Sequence, residues 1–174
     1  MATIGDYYRR FHAMNNGFKG TIESVLKSVN LSYYIREQLY SGLDGNENEL
    51  RPSYMDDPYF RERTNSEEKA RNMARWYVKH KELITPPLTS NIGFKARGKE
   101  TPNLIIRGDF YESIISTVDN WRIKIETQGV SFGADVERKY GSQIFALSEK
   151  SKRHIIETLL NPAIADYLKV YGLR

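Results

Sequence analysis

The spacing of apolar residues predicts helices towards both ends of the chain and a hairpin between them. Ile22, Val25, Leu26 and Val29 recur at the i, i+3, i+4, i+7 spacing of one helix face. Thr21 before them is a good N-cap, and Glu23 suits the positive end of a helix. Asn30 can cap a second segment in which Ile35 and Leu39 lie one turn apart, and Gly42 is a natural stop. The pattern therefore predicts one kinked helix or two short ones over 21–41. A further helix is predicted from Asn65, which has capping-box spacing to Glu68. It runs through the stripe Ala70, Met73, Ala74 and Tyr77 to the stop at Pro86-Pro87. A last helix begins at Ser148, with Ile155, Ile156, Leu159, Leu160, Ala163, Ile164, Tyr167 and Leu168 on one stripe. Pro162 interrupts the stripe without changing its phase, which predicts a kink with Asn161 capping a restarted helix.

The strand signal lies between Leu104 and Thr127. Ile114, Ile115 and Val118 precede Asp119-Asn120, read as a two-residue turn, and Trp121, Ile123 and Ile125 then alternate with Arg122, Lys124 and Glu126. That alternation puts Trp121 on a buried face, where truncation to Ala would cost about 3–5 kcal/mol. A short helix is expected near 134–139. Residues 1–19 show no clear period and carry a turn signal at Asn15-Asn16-Gly17, so they read as an arm or a short helix. Residues 42–64 read as a long loop, broken by Pro52 and Pro58, of the length expected of a binding loop, ordered or mobile. The expectation is a single domain over 1–174 of the α+β class. A small antiparallel sheet, the hairpin around 111–127, packs against three to four helices, including a long C-terminal one. The arm (1–19) is the segment expected to move, while the aromatics Tyr54, Tyr59 and Phe60 favour ordering of the loop (42–64) against something.

Composition narrows the functional classes. A chain of 174 residues can bury a real core. It has no cysteine, which removes disulfides, thiolate metal sites and cysteine nucleophiles and fits a reducing cytosol. No apolar run approaches the roughly 20 residues of a membrane span, and Met1–Arg10 lacks the apolar core of a signal peptide. Synthesis in a cytoplasm with no membrane partner is therefore expected. Twelve tyrosines are many, and those not used in the core suit surfaces that become buried against partners. Between Arg61 and Lys99 stand ten Lys and Arg against four Glu and no Asp, an excess larger than the net charge of +4 for the whole chain. Such a stretch can face phosphate or an acidic protein, or simply be a solvated face.

Sequence signals of catalysis are few. His12, His80 and His154 share no ligand spacing, and His154 with Glu157 is not the HExxH pattern. Asp56-Asp57 is a carboxylate pair on a loop, which usually means a solvated turn. Asp109 after Gly108 suits a turn or an inter-subunit contact. Gly93, Gly98 and Gly108 fit neither phosphate-loop nor dinucleotide spacing. No catalytic, cofactor-binding or metal-ligating residue is assigned, and the expectation is a protein that is not an enzyme.

Three segments carry a resemblance. The first is Arg36-Glu37-Gln38-Leu39-Tyr40-Ser41-Gly42-Leu43-Asp44-Gly45 with Leu50-Arg51-Pro52-Ser53-Tyr54. The second is Leu104-Ile105-Ile106-Arg107-Gly108-Asp109-Phe110-Tyr111-Glu112-Ser113-Ile114. The third is Lys139-Tyr140-Gly141-Ser142-Gln143-Ile144-Phe145-Ala146-Leu147-Ser148. Their order and spacing, over roughly 31–170, resemble the head–tail joining and tail-completion proteins of tailed bacteriophages, with Arg107 standing where that pattern has Thr. The resemblance implies a structural protein of the virion neck, a homo-oligomeric ring between portal or adaptor and tail proteins, around the DNA channel. On that reading Tyr54, Tyr59, Phe60, Asp109 and Tyr111 are the candidate protein interface. Arg71, Arg75, Lys79, Lys95, Arg97 and Lys99 are the candidate basic patch for channel DNA or an acidic partner. A small nucleic-acid-binding protein is the alternative, and a hydrolase using Asp56 and Asp57 ranks last. Arg97→Ala should barely change stability on either of the first two readings.

Overall fold

The first helix, α1 (Ile4–Ser28), begins at Ile4, not at Thr21. Thr3 caps it: its hydroxyl accepts from the Asp6 amide at 3.2 Å, and the Asp6 carboxylate accepts from the Thr3 amide at 2.8 Å. The box uses Asp at its fourth position instead of Glu or Gln. In a computed structural model of the chain, residues 3–172 are described; positions 1, 2, 173 and 174, which the expected arm and domain bounds include, lie outside the described residues. Thr21 sits inside α1, its hydroxyl donating to the Gly17 carbonyl one turn back. Asn15-Asn16-Gly17 is likewise helical. Gly17 is there for packing: a Cβ on it would lie 2.5 Å from the Tyr167 hydroxyl.

Helix α2 (Leu31–Tyr40) follows a break at Val29-Asn30, so of the two alternatives read over 21–41 the chain takes two helices, the first of them long. Asn30 is its N-cap residue but caps no amide with its side chain, which accepts instead from the Ser32 hydroxyl. Gly42, at φ 71°, ends it in a Schellman arrangement: Gly42 N–H donates to the Leu39 carbonyl and Leu43 N–H to the Gln38 carbonyl. The long loop is ordered by its own contacts. A bridge joins Leu43 to Glu49, and Asp57 caps a one-turn helix, α3 (Pro58–Glu62). Helix α4 (Glu67–Ile84) is capped by Ser66, one residue later than the expected Asn65.

Another short helix, α5 (Asp109–Ser113), occupies the start of the expected strand and leads into β1 (Ile114–Asp119), which pairs antiparallel with β2 (Arg122–Thr127). The turn is Asn120-Trp121, not Asp119-Asn120: Asp119 pairs with Arg122, and φ is 45° at Asn120 and 66° at Trp121. Two successive positive φ values define the primed turn that matches strand twist. Trp121 therefore sits at the hairpin tip, 49 % exposed, instead of in the core.

Helix α6 (Gly133–Tyr140) and a 3-10 turn over Ser142–Phe145 lead to α7 (Glu149–Ile155), capped by Ser148. The chain stays helical through a π-turn at Ile156–Leu160 into α8 (Asn161–Val170). No restart occurs at Asn161, whose backbone is helical and whose N–H reaches back to the Ile156 carbonyl. The wider π-turn accommodates Pro162, whose ring would clash with the carbonyl four residues earlier in a regular helix.

Among the described residues the architecture is α+β, mostly helical, with a two-stranded antiparallel sheet. One core cluster joins Ile35 and Leu39 of α2 to Leu50, Phe110, Tyr111, Ile114 and Ile144. A second joins Leu31 and Tyr34 to Ile92, Phe94 and Ile155, with Leu26 of α1 and Val29 just after it packed against it. A third, smaller cluster seats Phe60 on Ala70 and Ala74 of α4.

Candidate interaction surfaces

The basic stretch divides into an inner and an outer half. Lys81 occupies the next position of the α4 stripe after Ala70, Ala74 and Tyr77 and is wholly buried. Its ammonium donates to the Ile105 carbonyl. Burial, with the nearby Arg97 charge, lowers its pKa to about 8. Arg97, expected on the surface, is buried too. Its guanidinium donates to the carbonyls of Thr85 at 2.8 Å, Thr101 at 3.0 Å and Gly98 at 3.1 Å, binding the end of α4 to the following loop. Beside them the buried Asn103 holds two tyrosines: its side-chain oxygen accepts from Tyr54 at 3.2 Å and its carbonyl from Tyr111 at 2.6 Å. Burial pushes Tyr54 up to about 12 and Tyr111 well above the usual phenol value.

The remaining basic candidates lie outside. Arg71 is 3.7 Å from Glu67, and Lys99 pairs with Glu82 at 2.7 Å. Arg75, Lys79 and Lys95 are exposed and form no ion pair among the described residues. Arg71, Arg75 and Lys79, spaced by four, run along the outer side of α4.

The expected aromatic interface is mostly turned inward. Tyr54, Phe60 and Tyr111 are core residues, so they offer no outer face in this fold. Tyr59 is exposed, with the Arg63 guanidinium 4.7 Å over its ring, and Asp109 is exposed in the first turn of α5. The loop acids have local roles. Asp56 accepts from the Ser53 hydroxyl at 2.6 Å, and Asp57 caps α3 while pairing with Lys139 of α6 at 2.6 Å.

Two other faces, absent from the expected sites, are bare. On α4, Trp76 is 66 % exposed and stacks on His80 with ring planes 4° apart, and Leu83 and Ile84 continue its exposed apolar side. On α1, the stripe that packs on the core at Leu26 continues through Phe18, beside Tyr167 of α8, to Phe11, Tyr8, Tyr7 and Ile4. The last four are largely exposed, Ile4 at 89 %. The signal for this face was the i, i+3, i+4, i+7 spacing of those four residues, hidden by Asn15-Asn16-Gly17 in what looked like a turn.

A polar groove of about 420 Å³ runs between the end of α1, the start of α2 and β1, lined by Lys27, Asn30, Arg36 and Glu112. Among the described residues no group of three or more His, Asp or Glu is placed to hold a metal ion, and no helix is long and apolar enough to cross a membrane. Comparison with known proteins returns no match: no family model fits the chain, and neither a curated protein nor a solved structure matches it.

Proposed function

We propose that this chain is a structural virion protein, a subunit of a head-to-tail connector ring, of the neck or tail-completion type, in a tailed phage. Its work is protein–protein assembly around the DNA channel, with portal or adaptor proteins on one side and tail proteins on the other. The observation that supports this reading best is the pair of bare apolar faces on α1 and α4, carried by different parts of the fold. A ring repeats one heterologous contact, so each subunit needs two unlike faces that match. Three ordered segments of sequence carry the resemblance to such proteins. The test is to combine the purified chain with candidate portal and tail proteins and to image the products by electron microscopy. Rings stacked on the portal or tail end are expected. A chain that binds none of them and is missing from purified particles rules the reading out.

A second reading has its own observation. The row Arg71, Arg75, Lys79 flanks the exposed Trp76–His80 stack, an arrangement able to follow a phosphate backbone and stack a base. It predicts salt-sensitive binding of labelled DNA by the free monomer. Unchanged DNA mobility at low salt would remove it.

A further inference from the structure

We infer that the buried junction between the end of α4, the loop carrying Arg97 and the segment 101–105 binds one small anion, of the size and charge of chloride, held by Lys81, Arg97 and Asn103. The site lies inside the fold and does not depend on the ring reading.

Charge is the first observation. Lys81 is wholly buried and Arg97 is 6 % exposed, and neither forms an ion pair among the described residues. Buried charges are normally paired, because an ion that loses its water without a counter-charge is costly. The charge felt at Lys81 is that of Arg97, which has the same sign. Two cations thus share one interior with no acid between them.

Hydrogen bonding points the same way. Arg97 spends its terminal nitrogens on backbone carbonyls, those of Thr85 and Thr101 among them, and its Nε has no partner. Asn103 has no exposed surface, and its Nδ2 has no partner either. Its amide is not reversed: the Ile105 N–H, which can only donate, is 3.4 Å from Oδ1. Lys81 carries three N–H groups and donates to the Ile105 carbonyl. Donors therefore outnumber acceptors at one place, where buried polar groups are rarely left unpaired. The backbone gathers all three side chains there. The Thr101 carbonyl takes Arg97, the Ile105 carbonyl takes Lys81, and Asn103 lies between them on a segment that turns at Leu104, where φ is 56°. Thr85, one turn beyond Lys81, takes the other end of the Arg97 fork.

Chemistry selects the occupant. The junction lacks an acceptor that carries negative charge. Water can accept N–H groups but leaves both cations uncompensated. Tyr54 and Tyr111, the phenols beside the cluster, do not supply the charge, because burial keeps them protonated. A single-atom anion accepts several N–H groups from any direction and takes the least space of any anion. It reaches a closed interior during folding or local opening.

The experiment uses the full chain in sodium gluconate, with sodium bromide replacing it at constant ionic strength. The melting temperature of wild type should climb with the logarithm of bromide concentration, as for a ligand bound only by the folded chain. Lys81→Met, which removes one cation and its donors, should lose the climb, and comparing the two cancels the general effect of salt on stability. Asn103→Asp, which puts a carboxylate where the ion would sit, should be equally insensitive. In gluconate the stability of wild type should rise from about pH 8, and bromide should flatten that rise by favouring charged Lys81. Crystals of wild type grown in bromide should show an anomalous peak within hydrogen-bond distance of Arg97 Nε and Asn103 Nδ2. Equal bromide responses of wild type and Lys81→Met overturn the inference. So does a bromide-grown crystal whose junction is empty or holds water, a result that needs no variant to fold.

Discussion

Lys139 on α6 donates to Asp57 at the start of α3 at 2.6 Å, joining two elements 82 residues apart in sequence. The same carboxylate accepts from the Tyr59 amide at 3.1 Å and so caps α3. The residue that looked like half of a hydrolytic pair is thus a joint between the long loop and the body. Asp57→Ala should lose both the cap and the ion pair, about 2–3 kcal/mol. Asp57→Asn, which can still cap, should lose about 1 kcal/mol. Urea unfolding of the two variants checks the ranking, and equal losses would mean that the cap contributes nothing.

Arg97→Ala should be strongly destabilising, by about 3 kcal/mol or more, because it strips buried carbonyls of Thr85, Thr101 and Gly98 of their donor. The sequence pointed to almost no effect, since nothing local distinguishes Arg97 from Lys95 or Lys99. Arg75→Ala, on the outer side of α4, should change stability by less than about 0.5 kcal/mol. Thermal melts of the pair separate the inner from the outer half of the basic stretch.

Trp121→Ala should cost less than about 1 kcal/mol, well short of a core tryptophan. Trp121→Gly should be neutral or stabilising by up to about 1 kcal/mol, because φ is 66° there and glycine carries no penalty in the left-handed region. A rise or no change in melting temperature is expected. A loss of several kcal/mol would place the indole in a buried contact.

Stability should rise from about pH 8 and fall above about 10, giving a maximum near pH 9–10. Lys81 titrates near 8 when folded and near 10.5 when unfolded, so below 8 the folded chain carries the full cost of a buried ammonium. Raising the pH through that window relieves the cost, by about 2–3 kcal/mol. The opposite limb comes from Tyr54, which stays protonated to about 12 when folded but ionises near 10.0 when unfolded. Lys81→Met should flatten the rising limb and leave the falling one, as read from urea midpoints across pH. A wild-type profile flat from 8 to 10 would contradict the buried charge.

Local patterns determined a good deal here. The apolar periods of α2, α4 and the C-terminal helix, the Gly42 stop, the Ser148 start and the existence of a hairpin all follow from residues within a few positions of one another. Helix faces, caps and turns are short-range physics, and they are enough for an α+β assignment. Even so, the turn slipped by one residue, because Asp119-Asn120 and Asn120-Trp121 differ locally by less than the cross-strand pairing of Val118 with Ile123 and Asp119 with Arg122 contributes.

Which side chains face inward was a tertiary decision. Tyr54, Phe60, Tyr111, Lys81 and Arg97 are long, amphipathic or aromatic, and nothing in their neighbours says whether they meet water, a partner or the core. Burial depends on how α4, the loop carrying Arg97 and α5 fold back on one another and on the 42–64 loop, contacts that no residue's immediate neighbours specify. The same packing, by covering α1 only where α8 and the core reach it, left Ile4, Tyr7, Tyr8 and Phe11 bare, because an apolar stripe specifies a helix but not the surface that covers it.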